Sequence, residues 1–488
     1  MASSYVRAVR GVPRRRDGRD RASLWVTVSD RRRPEKSPEG YSYGLGHFQL
    51  GMIAIGGAIG VGLFLGTGGN LHRVGPSLWL AYALCGTAAF FVMRALGELV
   101  LYRPSSGSFV EYAGLFIGRW ARFASGWMFW LNWAFTGIAE LTATGTYVSL
   151  WAPGWPRWLT ALIALAFVLT INLVSVNLFG DFESWFSMLK VLAIVGFLCV
   201  GLYAVLTAAD MGHGASAGLG NLDGTGGFFP KGFGAALLGL QSVIFAYAAI
   251  EMVGIAAGET RDADRVVPKA INSVIVRIAV FYVGSVLLLA LCLPWTAYSG
   301  QESPFVTVFG RLGIPGAADV MNFVVITAAL SSSNSGLYST GRILRQMADA
   351  GEAPKGIARM TANGVPYRAV LMTAAVYLFG VVLYYYVPTR AFDIATSVAS
   401  LGVITTWITI LACQIVYHRR TERGELPRSS FRMPGSPYSG YATIAFLLLC
   451  VVLMAFADLE QRVAFWSIPF LVVALAVGWR LVRSRGTR

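Results

Sequence analysis

The chain has 488 residues, of which 55% are hydrophobic and only 13% are charged, and its formal net charge is +15. Soluble domains carry about 25% charged residues, so this composition excludes an ordinary soluble enzyme, a disordered chain and a secreted disulfide scaffold. The basic residues lie in loops and tails rather than in a folded basic domain, which argues against nucleic acid as a partner. A bilayer span needs about 20 apolar residues, and the composition therefore predicts a polytopic membrane protein.

The first 46 residues differ from the rest, because they are rich in arginine and contain no long apolar run. They also lack the hydrophobic core and the small-residue cleavage site of a signal peptide. We predict a disordered cytosolic tail at 1–46, a transporter domain at 47–482 and a short cytosolic tail at 483–488.

Polar breaks divide the sequence after residue 46 into twelve apolar runs of transmembrane length. The predicted fold class is thus an all-α polytopic membrane protein with twelve transmembrane helices. The predicted spans are 47–68, 76–97, 122–150, 158–178, 186–207, 232–257, 273–294, 318–341, 368–387, 392–417, 440–457 and 463–481.

The basic residues predict the orientation of these spans. If the N-terminus is inside, most of the 40 lysines and arginines fall in inner segments, and each outer segment holds only one. This bias follows the positive-inside rule. We expect a multi-pass protein of the cell (plasma or inner) membrane with both termini cytoplasmic.

Motifs for several kinds of chemistry are missing from the sequence. It contains no GxxxxGK[ST] phosphate loop, no HExxH and no GxSxG motif, which argues against an ATP-driven pump and a hydrolase. The five cysteines lie within apolar runs without metal-ligand spacing. We expect no enzyme activity, no cofactor and no metal, and transport that is passive or driven by a gradient.

The first span contains four glycines within seven residues, Gly56, Gly57, Gly60 and Gly62. Each costs about 1 kcal/mol relative to alanine in a helix, so we predict that the helix unwinds in the middle of the membrane. Close helix packing through Gly56 and Gly60 is the alternative. Unwound backbone is tolerated at that depth only if it is buried in protein or lines a cavity, and its free N–H groups next to a helix N-terminus suit a carboxylate.

Gly254 and Gly258 interrupt the sixth span less than the glycines interrupt the first, and Glu251 lies deep in its apolar run. An ionisable residue inside a bilayer is a functional candidate by default. Backbone carbonyls around Phe245–Ala249 could accept hydrogen bonds from an ammonium group.

Interruptions in the first helix of each half are typical of an inverted repeat with the substrate at the interface. We predict five-plus-five repeats at about 47–207 and 232–417, with accessory helices at about 440–481. Backbone N–H groups in the first span would bind an anionic group, and backbone carbonyls in the sixth span would bind a cationic one. A zwitterionic amino acid carries both groups, so the pattern favours a secondary transporter for such a substrate.

At this point the sequence resembles the amino acid transporter family of the amino acid–polyamine–organocation superfamily, over nearly all of residues 40–485. Within that family it is most similar to the bacterial L-asparagine permeases, through GGFFPKG (226–232) and TSVASLGVITTWITILACQ (396–414). The motifs that carry the wider resemblance are GGAIGVGLFLGTG (56–68), PSSGSFVEYA (104–113), FAYAAIEMVGIAAGET (245–260), VPKAINSV (267–274) and LSSSNSGLYSTGRIL (330–344).

The resemblance implies import of a small neutral amino acid by proton symport with alternating access, with L-asparagine as the first choice. A proton-coupled permease for D-serine, D-alanine, glycine or GABA and an amino-acid exchanger are the alternatives. The implied partners are the amino acid, the proton and the lipid bilayer.

The resemblance also implies a substrate site at the two breaks. The expected site in the first span is Gly57, Ala58, Gly60, Val61 and Gly62, with the amides of the last three on the substrate carboxylate. Val61 stands where the family commonly has Ser or Thr, so only backbone contacts are expected from it. In the sixth span, the carbonyls of Phe245, Ala246 and Ala248 are expected to bind the amino group, with the Phe245 ring as an outer cap.

Three ionisable residues are candidates for proton coupling or gating. The resemblance gives Glu251 and Lys190 this role, and we expect both to change protonation during transport. Lys190 lies near the end of its predicted span, so snorkelling to the interface is the alternative. Glu140 and Glu251 are the only carboxylates that we predict well inside the membrane. Glu140 is expected either to contact the substrate or carry the proton, or else to be a structural carboxyl that burial keeps neutral.

Overall fold

The computed structural model of the protein describes residues 59–105, 107–174, 176–224, 226–252, 254, 263–361 and 364–485. The predicted tail at 1–46, most of the first predicted span, and the candidate site residues Gly57 and Ala58 lie outside this part.

Within the described residues the secondary structure is helical, apart from one isolated β-bridge between Asp210 and Ser216. A 3-10 turn, Phe245–Tyr247, follows the helix Gly232–Ile244. A π-helical segment, Ile278–Gly284, joins the helices Ala263–Arg277 and Ser285–Cys292. The α-helices are α1 Val61–Phe64, α2 Gly66–Val74, α3 Leu78–Tyr102, α4 Ser108–Phe116, α5 Arg119–Val148, α6 Arg157–Val174, α7 Val176–Leu206, α8 Gly220–Asp223, α9 Gly232–Ile244, α10 Ala263–Arg277, α11 Ser285–Cys292, α12 Pro304–Arg311, α13 Ala317–Asp349, α14 Tyr367–Tyr386, α15 Ala391–Glu422, α16 Tyr438–Met454 and α17 Leu459–Arg485.

Eight helices in the described ranges are long and apolar enough to cross a bilayer. Two further apolar helices, Gly232–Tyr247 and Tyr438–Met454, are shorter. The surface of the bundle is apolar where these helices face outward, and Phe379, Trp466 and Phe470 are each more than 60% exposed there. A soluble monomer rarely exposes large contiguous apolar patches, so the exposed apolar side chains are explained by contact with lipid.

The centre of the bundle is formed by α5, α13 and α15, and the contacts of α5 with the other two helices are the most extensive between elements of the described part. Small residues allow this close approach. A Cβ atom added to Gly402 of α15 would lie 2.6 Å from Cβ of Asn132 and 2.9 Å from the carbonyl oxygen of Met128, both on α5. Glu140, the candidate residue on α5, thus lies on a helix that packs closely against α15.

Helices occupy most of each predicted span from the second onward, although only eight of them in the described part meet the length and hydropathy of a bilayer span rather than the twelve predicted. One boundary differs in a way that matters for function. The fifth span was predicted at 186–207, but α7 begins at Val176 and its apolar window begins at Phe182. The carboxyl group of Glu183, which the prediction left in a loop, is fully buried. Glu183 is therefore a buried carboxyl group that the sequence analysis did not single out beside Glu140 and Glu251.

The contact of α15 with α5 yields a stability prediction. We expect Gly402→Val to lower the free energy of unfolding by about 1–3 kcal/mol, because the new side chain meets backbone atoms that cannot move aside. The measurement is the melting temperature of the purified protein in detergent. Gly196→Val on α7 is the matched control, since no atom lies within 4 Å of a Cβ added there. Equal melting temperatures for the two variants would contradict this account.

Candidate functional site

The first predicted span is irregular at Gly60, next to where the described part of the chain begins. Gly60 has extended backbone angles (φ −129°, ψ −164°), and helical structure starts at Val61; we call this point the first break. The N–H groups in the first turn of a helix have no partner within that helix. Residues 1–58 lie outside the described part, so a helix before Gly60, which the predicted interruption requires, stays a prediction.

The second break follows α9 in the sixth predicted span. The helix tightens into a 3-10 turn at Phe245–Tyr247, and Ala248 is then extended (φ −55°, ψ 155°). Ala249 adopts a left-handed conformation with φ of +72°, which is uncommon for a residue with a side chain. Such strained backbone is found where the surrounding structure or the function demands it.

The two breaks lie directly against each other. A Cβ atom added to Gly62 would lie 2.7 Å from Cα of Ala246 and 3.0 Å from the ring of Phe245. Only a residue without a side chain fits between these two segments, which gives Gly62 a specific packing reason beyond its effect on the helix.

A small cavity of about 10 Å³ lies between the breaks and the central helices; we call it the chamber. A cavity of this size has room for about one water molecule, so a larger molecule can bind there only if the lining residues move apart. Its lining contains predicted site residues together with three residues that the sequence analysis did not assign to the substrate site, Trp133, Thr136 and Ser332. The lining residues are Gly60, Gly62, Trp133, Thr136, Glu140, Phe245, Ala246, Ala248, Ala249 and Ser332.

Glu140 of α5 points its buried carboxyl group at the first break. The N–H of Val61 donates to Oε1 of Glu140 over a long distance of 3.5 Å, and a Cβ atom added to Gly60 would lie 2.7 Å from the same oxygen. The other oxygen, Oε2, has no hydrogen-bond partner among the described residues. A carboxyl group therefore already lies at the amide that the sequence analysis assigned to a substrate carboxylate.

Glu251 lies just after the second break and is fully buried. Neither of its carboxylate oxygens has a hydrogen-bond partner in the described part, and the indole of Trp407 on α15 lies beside the group. A buried carboxyl group without a strong partner is costly to keep charged, and such groups have a functional explanation more often than a structural one.

Lys190 of α7 is also fully buried, so its side chain does not snorkel to the membrane surface. Its Nζ donates a hydrogen bond of 2.8 Å to Oγ of Ser331 on α13. The Ser331 hydroxyl in turn lies 2.8 Å from both carboxylate oxygens of Glu183. Glu183 is a functional candidate that the sequence analysis missed, and its position seven residues before Lys190, two helical turns away on the same face, was the available signal.

A second, somewhat larger cavity of about 20 Å³ lies on the other side of Phe245; we call it the vestibule. Phe245 and Gly62 line both cavities, so they form the wall between them. The guanidinium of Arg73 bridges Asp393 and Asp458 here, at 3.4 Å and 3.3 Å. The remaining vestibule residues are mostly polar, namely Gly66, Asn70, Arg73, Gln241, Ser242, Phe392, Asp393, Thr396, Ser397, Ser400, Glu460 and Gln461.

Another ion pair joins α5 to the loop after α13. Arg122 binds the carboxyl of Glu352 at 2.7 Å. Burial raises the pKa of Glu352, while the guanidinium of Arg122 opposes that rise. Within the described ranges, no three His, Cys, Asp or Glu side chains come together as metal ligands would.

A helical bundle with an apolar surface and two facing helix breaks around a small chamber is typical of membrane transport proteins. The sequence model of the amino acid permease family matches residues 49–487, and the chain belongs to this family. It is 51% identical to the L-asparagine permease of Streptomyces coelicolor over 91% of both chains. It is 50% identical to L-asparagine permease 1 of Mycobacterium tuberculosis over 91% of both, and 49% identical to the L-asparagine permease of Escherichia coli over 92% of this chain and 90% of that one. The protein is thus a multi-pass amino acid permease and not an enzyme.

The contact between the breaks yields a prediction about transport. We expect Gly62→Ala to lower the rate of amino-acid uptake by about tenfold or more, because a methyl group at 2.7 Å from Ala246 forces the two breaks apart. The measurement is uptake into proteoliposomes at matched protein density. Gly66→Ala is the control, since its nearest neighbour, the carbonyl oxygen of Val61, is 3.8 Å from the added carbon. Normal uptake by the Gly62 variant would show that this close contact is dispensable.

Proposed function

We propose that the protein imports L-asparagine by proton symport, and that the substrate crosses through the chamber by alternating access. The observation that carries the proposal is the meeting of two helix breaks at a buried chamber that contains a carboxyl group. The identity of about half of the residues with proteins named L-asparagine permease supports the choice of substrate.

The chamber offers complementary groups to the two ends of an amino acid. The amides of Gly60, Val61 and Gly62, together with the adjoining Gly57 and Ala58, bind the carboxylate, because a helix N-terminus favours an anion. The carbonyl oxygens of Phe245, Ala246 and Ala248 accept hydrogen bonds from the ammonium group. The chamber measures only about 10 Å³ in this conformation, so its lining must open for the substrate, and a short side chain requires the least opening.

The position of Glu140 suggests how substrate and proton are coupled. Its Oε1 already receives the Val61 N–H that the substrate carboxylate would use. Two carboxylates that share one buried site cannot both be ionised. A substrate anion therefore binds well only when Glu140 carries a proton, and release of the substrate allows that proton to leave.

Glu251 has a second coupling role in this proposal. It lies two residues after the strained Ala249 at the second break, so a change in its charge acts on the segment that holds the substrate amino group. Protonation of Glu251 removes an unpaired buried charge and favours the packed arrangement of α9, the break and α15.

The proposed transport mechanism also implies an orientation in the membrane and an arrangement of the helices in two repeats. We place the vestibule on the outside and the Arg122–Glu352 pair on the cytoplasmic side of the plasma or inner membrane, with both termini in the cytoplasm. The predicted five-plus-five inverted repeat then runs from the first span to α7 and from α9 to α15, and α16 and α17 are accessory. Phe245, in the wall between vestibule and chamber, is the outer cap.

The first prediction from this proposal concerns accumulation. Proteoliposomes with an alkaline interior and no sodium are expected to concentrate labelled L-asparagine, and a protonophore should abolish the gradient. Accumulation of D-serine, D-alanine, glycine or GABA instead would correct the substrate. Counterflow of L-asparagine without accumulation would identify an exchanger.

The second prediction concerns the buried carboxyl at the second break. We expect Glu251→Gln to abolish accumulation driven by the pH gradient while leaving some exchange, because the amide fills the same space but cannot bind or release a proton. Both rates are measured in the same proteoliposome preparation. Glu425→Gln, in the exposed loop after α15, is the matched control. If the Glu251 variant concentrates the substrate normally, Glu251 has no part in proton coupling.

A further inference from the structure

Glu183 is a buried carboxyl group that the mechanism above does not use. It lies on α7 with Lys190, and both side chains are fully buried. Ser331 of α13 stands between them, 2.8 Å from the lysine nitrogen and 2.8 Å from each carboxylate oxygen. The three groups form one continuous chain of short polar contacts that ties α7 to α13.

The direction of the hydrogen bonds in this chain is fixed by chemistry. A lysine ammonium can only donate, so the Ser331 oxygen accepts from Lys190. The serine hydroxyl has a single proton, which is left to point at Glu183. Both oxygens of Glu183 lie 2.8 Å from that hydroxyl, so Ser331 donates to the Glu183 carboxyl group while it accepts from the ammonium.

Glu140 approaches the same stretch of α13, because a Cβ atom added to Gly60 would lie 2.7 Å from its Oε1 and 3.4 Å from Oγ of Ser332, the residue after Ser331. The charges of Lys190 and Glu140 therefore act on each other. One lysine therefore faces two carboxyl groups, Glu183 through Ser331 and Glu140 near the chamber. A single positive charge in a buried site can balance only one negative charge. Which carboxyl it balances decides which carboxyl is free to take up a proton.

We propose that Glu183 is a positioning residue that, through Ser331, serves as the permanent counter-ion of Lys190 and so leaves Glu140 to carry the transported proton. This inference rests on the proposed function and changes one expectation in it, since Lys190 then stays charged throughout the cycle. If Glu183 is neutralised, Lys190 pairs with Glu140, which remains ionised and repels the substrate carboxylate.

The transport test compares four variants in proteoliposomes. Glu183→Gln is expected to lower L-asparagine accumulation by about tenfold or more and to raise the KM for counterflow. The double variant Glu183→Gln with Lys190→Met removes both charges, and we expect it to recover accumulation. Ser331→Ala should lower accumulation, whereas Ser333→Ala, the control, changes a neighbouring buried serine that has no bond to either charge.

The second test needs no transport. Melting temperatures are measured for Glu183→Gln, Lys190→Met and the double variant in detergent. Each single variant leaves a buried charge without its partner, so the loss in the double variant is expected to be smaller than the sum of the two single losses.

The outcomes separate this inference from the proposed function. A loss in Glu183→Gln that the double variant reverses supports the inference; normal accumulation by Glu183→Gln, or no recovery in the double variant, overturns it. If the wild-type protein does not accumulate L-asparagine, the proposed function fails. The melting temperatures then decide alone, because additive losses would overturn the pairing of Glu183 with Lys190 and non-additive losses would support it.

Discussion

The contact between Gly62 and Ala246 is the constraint on which the rest of the structure depends. Interrupted helices expose backbone N–H and C=O groups, and a membrane interior supplies no water to satisfy them. The two breaks meet this requirement by lying against each other, and the surrounding helices α5, α13 and α15 enclose both. Because neither break is tolerable alone at this depth, the chamber arises from the same packing that makes the breaks possible.

Charge is arranged around this chamber under the same restriction. Glu140, Glu183 and Lys190 are fully or almost fully buried, and each lies within reach of another charged or hydroxyl group. Glu251 is different, since Trp407 is the polar neighbour beside it and neither of its oxygens has a bond in the described part. Buried charges are stable only when paired. The groups with polar neighbours can therefore keep a charge, whereas Glu251 is the group whose charged form the surroundings stabilise least.

Composition was enough to predict the membrane fold, and the glycine cluster indicated irregular backbone in the first span, where Gly60 is extended. In the sixth span the sequence indicated interruptions at Gly254 and Gly258, whereas the observed break is at Phe245–Ala249, which contains no glycine and which helix propensity therefore did not locate. Glu183 was missed because acidic residues near the start of α7 lower its hydropathy and move the predicted boundary inward. The contact of Glu140 with Val61, 79 residues away, depends on how α5 is rotated in the bundle, which no local pattern specifies.

The wall between the chamber and the vestibule is one aromatic ring thick, since Phe245 lines both cavities. A molecule with the head groups of an amino acid could thus enter from the vestibule with its side chain still trailing past the ring. If that side chain were too bulky to follow, the ring could not swing back and the opposite face could not open. An amide of asparagine with a large substituent on its nitrogen has this shape, and such a compound would be an inhibitor that the protein binds but does not carry.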